Sequence, residues 1–313
     1  MGTSRAAIRD RVSPVLRRSA VVALGGSVLL TGCSGSPPGP RDGHDGAMHL
    51  STLSRPRSAP SAGLAPAPSW SSHAIVPVSK PKPSPSRIAV PPVSAATRRA
   101  LPVADTYGHV RRARTDSHTR ATGRLAHITH DTVAFRTPGG KPVAVIPDQQ
   151  VGVDTWLPVI ASRSGWLQVR LPSRPNGAVA WVSAHGIPTK TTRYRVTVSL
   201  ATGLMTVRRG SHLVGRWSVG YGRPGLPTPS TRTFVLTRFH DPNQSFSPVI
   251  FALGAHSDAM ASFEGGPGTI AIHGWPTYAG RHGAVSHGCV RVPGGALDVL
   301  RTVPNGTPVS IIG

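Results

Sequence analysis

A chain of 313 residues with 35 Lys and Arg against 12 Asp and Glu has a formal charge of +23, and its 35 Gly and 32 Pro approach the content at which part of a sequence stays disordered. One uniform globular domain is therefore excluded, and two cysteines, Cys33 and Cys289, exclude a disulfide framework. Residues 1–124 hold 18 of the basic residues and two aromatics, Trp70 and Tyr107, too little apolar surface to offset the entropy of ordering, so the folded part is expected in the C-terminal 189 residues.

The chain opens on an export signal. Arg5, Arg9, Arg11, Arg17 and Arg18 precede an apolar run from Ala20 to Leu30, which is too short to span a bilayer. Leu30-Thr31-Gly32-Cys33 follows directly and resembles the bacterial lipobox, whose Cys is thioether-linked to diacylglycerol after cleavage. Residues 1–32 are thus expected to be a lipoprotein signal peptide and Cys33 the lipidated residue, placing the protein outside the cytoplasm, anchored in the membrane and facing the cell wall. Arg17-Arg18 leaves open whether export is general or twin-Arg. Residues 33–124 are Ser, Pro, Ala, Arg and Gly without sustained periodicity and predict a long disordered tether. The Arg111-Arg112-Ala113-Arg114 cluster suits anionic lipids or wall polymers; behind a signal peptide it does not indicate nucleic acid.

Residues 125–190 read as a small β-barrel module. Short β runs at Thr132 to Arg136, Val143 to Ile146, Trp156 to Ala161, Trp166 to Leu171 and Ala178 to Val182 are broken by Gly- and Pro-rich turns. The spacing resembles bacterial Src-homology-3-like modules, with Trp156, Trp166 and Trp181 as expected core residues. Residues 191–313 predict a second β-rich domain. Tyr194, Val196, Val198 and Leu200 alternate with polar residues, and Leu204 to Arg208 is placed to pair back across Ala201-Thr202-Gly203. Further runs stand at Leu213 to Tyr221, Thr233 to Arg238, Ile250 to Leu253 and Thr269 to Ile272, with one short helix expected at Ala296 to Thr302. Gly220-Tyr221-Gly222-Arg223-Pro224-Gly225 matches a dinucleotide-binding glycine pattern, but Pro224, Pro227 and Pro229 forbid the helix that pattern needs, so it reads as a turn-rich loop.

The chemistry concentrates between Ile272 and Val292. Cys289 lies two residues after His287 and sixteen after His273. An exported thiol risks oxidation, so its presence asks for a reason. Imidazole beside thiol is the minimum equipment for nucleophilic attack on an amide, and Gly274 and Gly288 let the backbone approach a substrate.

His273-Gly274 followed by Ser286-His287-Gly288-Cys289-Val290-Arg291 resembles the signature of the L,D-transpeptidase family with the YkuD-type catalytic domain, and the likeness extends over roughly residues 193–313. Pro227-Thr228-Pro229 is similar to the family's turn before its Thr-Phe strand, although Ser230-Thr231-Arg232 displaces the usual glycine. The resemblance implies a mainly β fold and makes Cys289 the nucleophile and His273 the base, oriented through the Gly274 carbonyl. It places His287, Gly288 and the Cys289 amide at an oxyanion pocket, with Ser286 behind them. Arg291 either holds the catalytic turn or faces a substrate carboxylate. The implied reaction releases D-Ala from a peptidoglycan tetrapeptide stem and passes the acyl group to the amine of a second stem, forming a 3→3 cross-link. Carbapenem-type β-lactams would acylate the same thiol. No cofactor is implied, and the partners are donor and acceptor stem peptides and the membrane. An L,D-carboxypeptidase with the same site, a non-catalytic wall-binding lipoprotein and a zinc site on His273, His287 and Cys289 are the alternatives. His256 and His282 read as surface or loop residues, and oligomeric state is left open.

Overall fold

A computed structural model describes residues 86–313 apart from residue 264, so the expected signal peptide, Cys33 and the expected tether as far as residue 85 lie outside the described residues. The described chain builds two antiparallel-rich sheets. The first contains β1 (Arg114–Thr115), β2 (Arg124–Ile128), β3 (Thr132–Phe135), β4 (Pro142–Ile146), β5 (Gln149–Gln150), β6 (Val153–Arg163), β7 (Trp166–Arg170), β8 (Ala178–Ser183) and β9 (Thr189–Thr191). Its strands run in the order β4-β3-β8-β7-β6-β2-β9, with β1 added to β8 and β5 to β6. The expected β runs of this segment therefore all form.

Two expectations are corrected here. The tether does not reach residue 124: residues 86–124 lie against the first sheet, and helix α1 (Ala95–Ala100) forms in them, capped by the Ser94 hydroxyl on the Thr97 amide. The Ile88 amide donates to Ser164 and the Val110 amide to Arg174, while Ala104, Val110 and Ala113 are buried in the module's core. Sparse small apolar side chains cannot build a core of their own, but they can complete one that strands already supply. Of the three tryptophans expected inside, only Trp166 is fully buried; its indole N–H donates to the Ile88 carbonyl and its ring meets Phe135 edge-on. Trp156 is half-buried, with His127 stacked at 4.2 Å and the Lys190 ammonium 3.5 Å from the ring centroid, so polar neighbours occupy its faces. Trp181 is also half-buried.

The second sheet contains β10 (Tyr194–Ser199), β11 (Leu204–Arg209), β12 (His212–Ser218), β13 (Gly220–Gly222), β14 (Thr231–Phe239), β15 (Ile250–His256), β16 (Thr269–Gly274), β17 (Gly283–Ser286), β18 (Val290–Val292) and β19 (Pro308–Ile312). Their order is β12-β11-β10-β19-β14-β15-β16-β18-β13-β17. The β10–β11 hairpin pairs as the sequence predicts, from Tyr194 opposite Arg209 to Ser199 opposite Leu204. Helix α2 (Gly294–Arg301) begins two residues before its expected start and buries Ala296, Leu297 and Leu300.

One strand belongs to both cores. Along β14, Phe234 and Leu236 point into the core of the first sheet while Val235 between them packs in the core of the second, as the alternation of a strand requires. Among the described residues, no helix is long and apolar enough to cross a membrane.

Candidate active site

The sheet order brings together residues that the sequence separates. β16 and β18 are adjacent and parallel, with Ile272 opposite Val290 and His273 opposite Arg291. Cys289 immediately precedes β18, and a cavity of about 250 Å³ is lined by Cys289, His273, Ser286, His287 and Arg291 together with Phe246, Met260, Phe263 and Trp275.

His273 is buried, and its Nδ1 lies 2.8 Å from the Gly274 carbonyl. A carbonyl only accepts, so Nδ1 carries the proton and Nε2 keeps its lone pair. Burial pushes the imidazole pKa down to about 4, against the pull of the Gly274 bond and with the Arg291 charge adding to the depression. The ring is therefore neutral at pH 7, in the state that takes a proton rather than the state that has one. Phe246 and Trp275 stand at 5.0 and 6.2 Å from it and keep that side apolar. Gly274 is held in turn, since its amide donates to the Ser247 hydroxyl at 2.7 Å.

The turn that presents Cys289 is fixed from inside and from outside. The Ser286 hydroxyl donates to the Cys289 carbonyl at 2.6 Å and accepts the Gly288 amide at 3.0 Å. Gly288 has φ +120°, a conformation that side chains avoid, and its carbonyl accepts a 2.6 Å bond from the Thr228 hydroxyl. That hydroxyl also accepts the Gly222 amide at 2.8 Å. Gly222 is required there, because a Cβ on it would stand 2.3 Å from the Leu226 carbonyl oxygen and the Thr228 amide. The stretch expected as a turn-rich loop at 220–225 is corrected in its first half, since Gly220–Gly222 is strand β13; with Thr228 it brackets the turn that presents Cys289.

The Gly288 amide is engaged by the Ser286 hydroxyl, so Gly288 offers the cavity its backbone shape and not a free donor. His287 lines the cavity but is exposed, with its ring 6.0 Å from that of Phe263. Arg291 lays its guanidinium over the Trp275 ring at 3.5 Å and reaches the Gly280 and Val285 carbonyls at 3.4 Å. Its pKa is lowered, first by burial and also by Arg223, while the Cys289 charge works the other way. The attraction is mutual: a guanidinium that gains from a thiolate also stabilises that thiolate. Among the described residues, no three side chains of metal-ligating type gather.

Sequence reasoning missed the part of the site that comes from the first module. Ser257, Met260, Phe263 and Gly268 line one side of the cavity, and Arg174 donates to the carbonyls of Ser257 at 2.9 Å, Met260 at 3.0 Å and Pro267 at 3.2 Å. Asn176 meets both backbone groups of His256, accepting from its amide at 2.9 Å and donating to its carbonyl at 2.8 Å. His256, expected at the surface, is fully buried and donates from Nε2 to the Thr106 carbonyl at 2.7 Å. Burial depresses its pKa to about 4, with the Thr106 bond opposing and Arg174 adding. No local pattern marks these residues, since the Arg174 contacts bridge 83 to 93 positions of sequence.

Comparison with known proteins agrees with this geometry. Residues 193–311 match the family model of the L,D-transpeptidase catalytic domain, YkuD. No curated protein matches the chain. Similar solved structures include an L,D-transpeptidase from Mycobacterium smegmatis, at 14% identity over 47% of this chain and 91% of that one with a TM-score of 0.32. L,D-transpeptidase 3 from Mycobacterium tuberculosis, solved with a faropenem-derived adduct, covers 60% of this chain and 81% of its own at 15% identity and a TM-score of 0.36. The catalytic domain of the Enterococcus faecium enzyme covers 38% of this chain and 96% of its own at 20% identity and a TM-score of 0.29. None of the three superpositions reaches 0.5, and it is the family match that carries the likeness: residues 193–311 match the L,D-transpeptidase catalytic domain.

Proposed function

We propose that the protein is a peptidoglycan L,D-transpeptidase that works through a Cys289 thioester. The observation that carries this reading is the neutral, Nδ1-bonded His273 in the same cavity as Cys289. His273 Nε2 takes the thiol proton as sulfur attacks the carbonyl between the third, diamino residue of a tetrapeptide stem and its terminal D-Ala. The C–N bond breaks, the imidazolium returns the proton to the leaving amine, and D-Ala departs. The side-chain amine of a second stem then attacks the thioester, gives up its proton to His273, and forms the 3→3 cross-link as Cys289 is released.

Lipidation at Cys33 would hold the catalytic domain at the outer face of the membrane, and the 125–190 module would act as a Src-homology-3-like wall-binding element. The same thiol is expected to take a carbapenem. Incubating the protein with a disaccharide-tetrapeptide and weighing the products tests the reaction. Cross-linked dimer lacking one D-Ala is the expected result. Tripeptide without dimer makes water the acceptor and the enzyme an L,D-carboxypeptidase, and unchanged substrate overturns the proposal.

A further inference from the structure

The outer face of the second sheet carries an array of cations that the transpeptidase reading does not use. Val196, Val198, Val207, Val309 and Ile311 are buried on the inner face, so strand alternation turns their neighbours outward. Arg195 of β10 stands directly opposite Arg208 of β11, Thr197 opposite Ser310 of β19, and Ser310 opposite Arg232 of β14. These four adjacent strands span about 14 Å at ordinary strand spacing. Residues of the first module close over the row: Arg120, and Arg170 as a buried floor. The five arginines line one cleft of about 210 Å³, which shares no residue with the Cys289 cavity.

This arrangement is costly as it stands. Like charges directly opposite on a sheet repel. Arg170 donates to the Asp116 and Thr119 carbonyls, Arg232 to the His118 carbonyl and the Ser310 hydroxyl, and Arg195 to the Ala121 carbonyl. Those partners orient the guanidinium groups but carry no net charge. The one carboxylate acting on Arg170 is Asp116, and the two ion pairs among the described residues, Arg98–Asp131 and His127–Asp154, lie elsewhere. Burial draws the Arg170 pKa down to about 10, with Asp116 opposing and the Arg232 charge adding.

We propose that this cleft binds the phosphate groups of a linear phosphodiester polymer. Guanidinium forks match the oxygen geometry of phosphate and accept it two bonds at a time. Cations repeated across four strands suit successive charges along one chain. The concave shape, with a guanidinium at its floor, favours a strand lying in the cleft over the flat surface of a bilayer.

The test uses the full chain and tripolyphosphate as the probe, by titration calorimetry at about 0.15 M salt, where long-range attraction to a +23 protein is screened. The cleft variant is Arg120→Ala, Arg195→Ala and Arg208→Ala together; all three side chains are exposed. The control removes the same charge from exposed positions elsewhere, Arg99→Ala, Lys141→Ala and Arg163→Ala. The cleft variant is expected to bind at least about tenfold more weakly than the control, the equivalent of one charge-assisted hydrogen bond. Equal weakening in both variants, or none in the cleft variant, overturns the site. So does a cleft variant that loses sedimentation with phosphatidylglycerol vesicles while keeping its tripolyphosphate affinity, because the occupant is then a bilayer. If the triple variant does not fold, Arg195→Gln with Arg208→Gln removes the facing charges alone and is read by the same criteria.

Discussion

Thr228→Val removes one hydroxyl and leaves the side chain's shape, and two buried backbone groups lose their partner: the Gly222 amide and the Gly288 carbonyl. Each orphaned group costs about 1–3 kcal/mol, so the loss of two centres near 4 kcal/mol. For a chain of this folded size that lowers the melting temperature by about 8–16 °C. Function should suffer more than stability does. Gly288 is held at φ +120° by that bond, and Cys289 follows it directly. A displacement of about 1 Å at the nucleophile costs about a hundredfold in rate, so acylation by tetrapeptide, followed by intact mass, should fall by one to two orders of magnitude. Thr228→Ser keeps the hydroxyl, loses a methyl group and should cost only about 1 kcal/mol. A Thr228→Val protein that melts within about 2 °C of the wild type and acylates normally would refute the bracket, as would a Thr228→Ser protein equally damaged.

Arg174→Ala releases three carbonyls of the cavity wall, and Arg174→Lys cannot reach all three; in both, KM for the donor stem should rise about tenfold with kcat within about threefold, measured by steady-state kinetics. The folded pKa values of His256 and His273, about 4 against 6.5 when unfolded, mean that the unfolded chain binds more protons between those limits. Stability should therefore be full above pH 6.5 and decline as pH falls toward 4, by roughly 3 kcal/mol for each group, with His256→Gln removing about half of the loss in urea titrations. For the same reason, the acid limb of the acylation rate should lie near pH 4, and an inflection at 6.5 would contradict a buried neutral base. His273→Ala should lower acylation by about 10²–10⁴ and recover in part as pH approaches the thiol's ordinary value of about 8.5, whereas His287→Ala should not; the reverse pattern would exchange the roles of the two histidines.

The juxtaposition of His273 and Cys289 was legible because of where the sheet puts them. β16 and β18 are neighbours, so the HG and SHGC strings are each local, and their relation follows from one strand pairing. Alternation along β10 and β11 was equally plain, since one face is core and the other is solvent. Arg174 and Asn176 were illegible, because an arginine in a Pro- and Gly-rich loop has no period to betray that its partners lie more than 80 positions away. His256 was misjudged because histidine has no preferred depth; only the Asn176 and Thr106 contacts reveal its burial. Residues 86–124 were misjudged because composition asks whether a segment can make a core, not whether it can finish a neighbour's.

The strand shared between the two cores sets the limits of what can be separated. Cutting the chain ahead of residue 193, where the family match begins, would leave Phe234 and Leu236 facing water in place of the module's interior. At about 1.5–3 kcal/mol for each side chain, that is roughly 3–6 kcal/mol, a large share of what a domain of ordinary stability has to lose. The sequence boundary of the catalytic domain is therefore not a folding boundary. The module and the enzyme should melt in one transition, and a different module can be grafted here only if it brings a cavity shaped for the outward side chains of β14. Whatever surface the module offers to a ligand is thus rigidly coupled, through positions 234 and 236, to the sheet that carries Cys289.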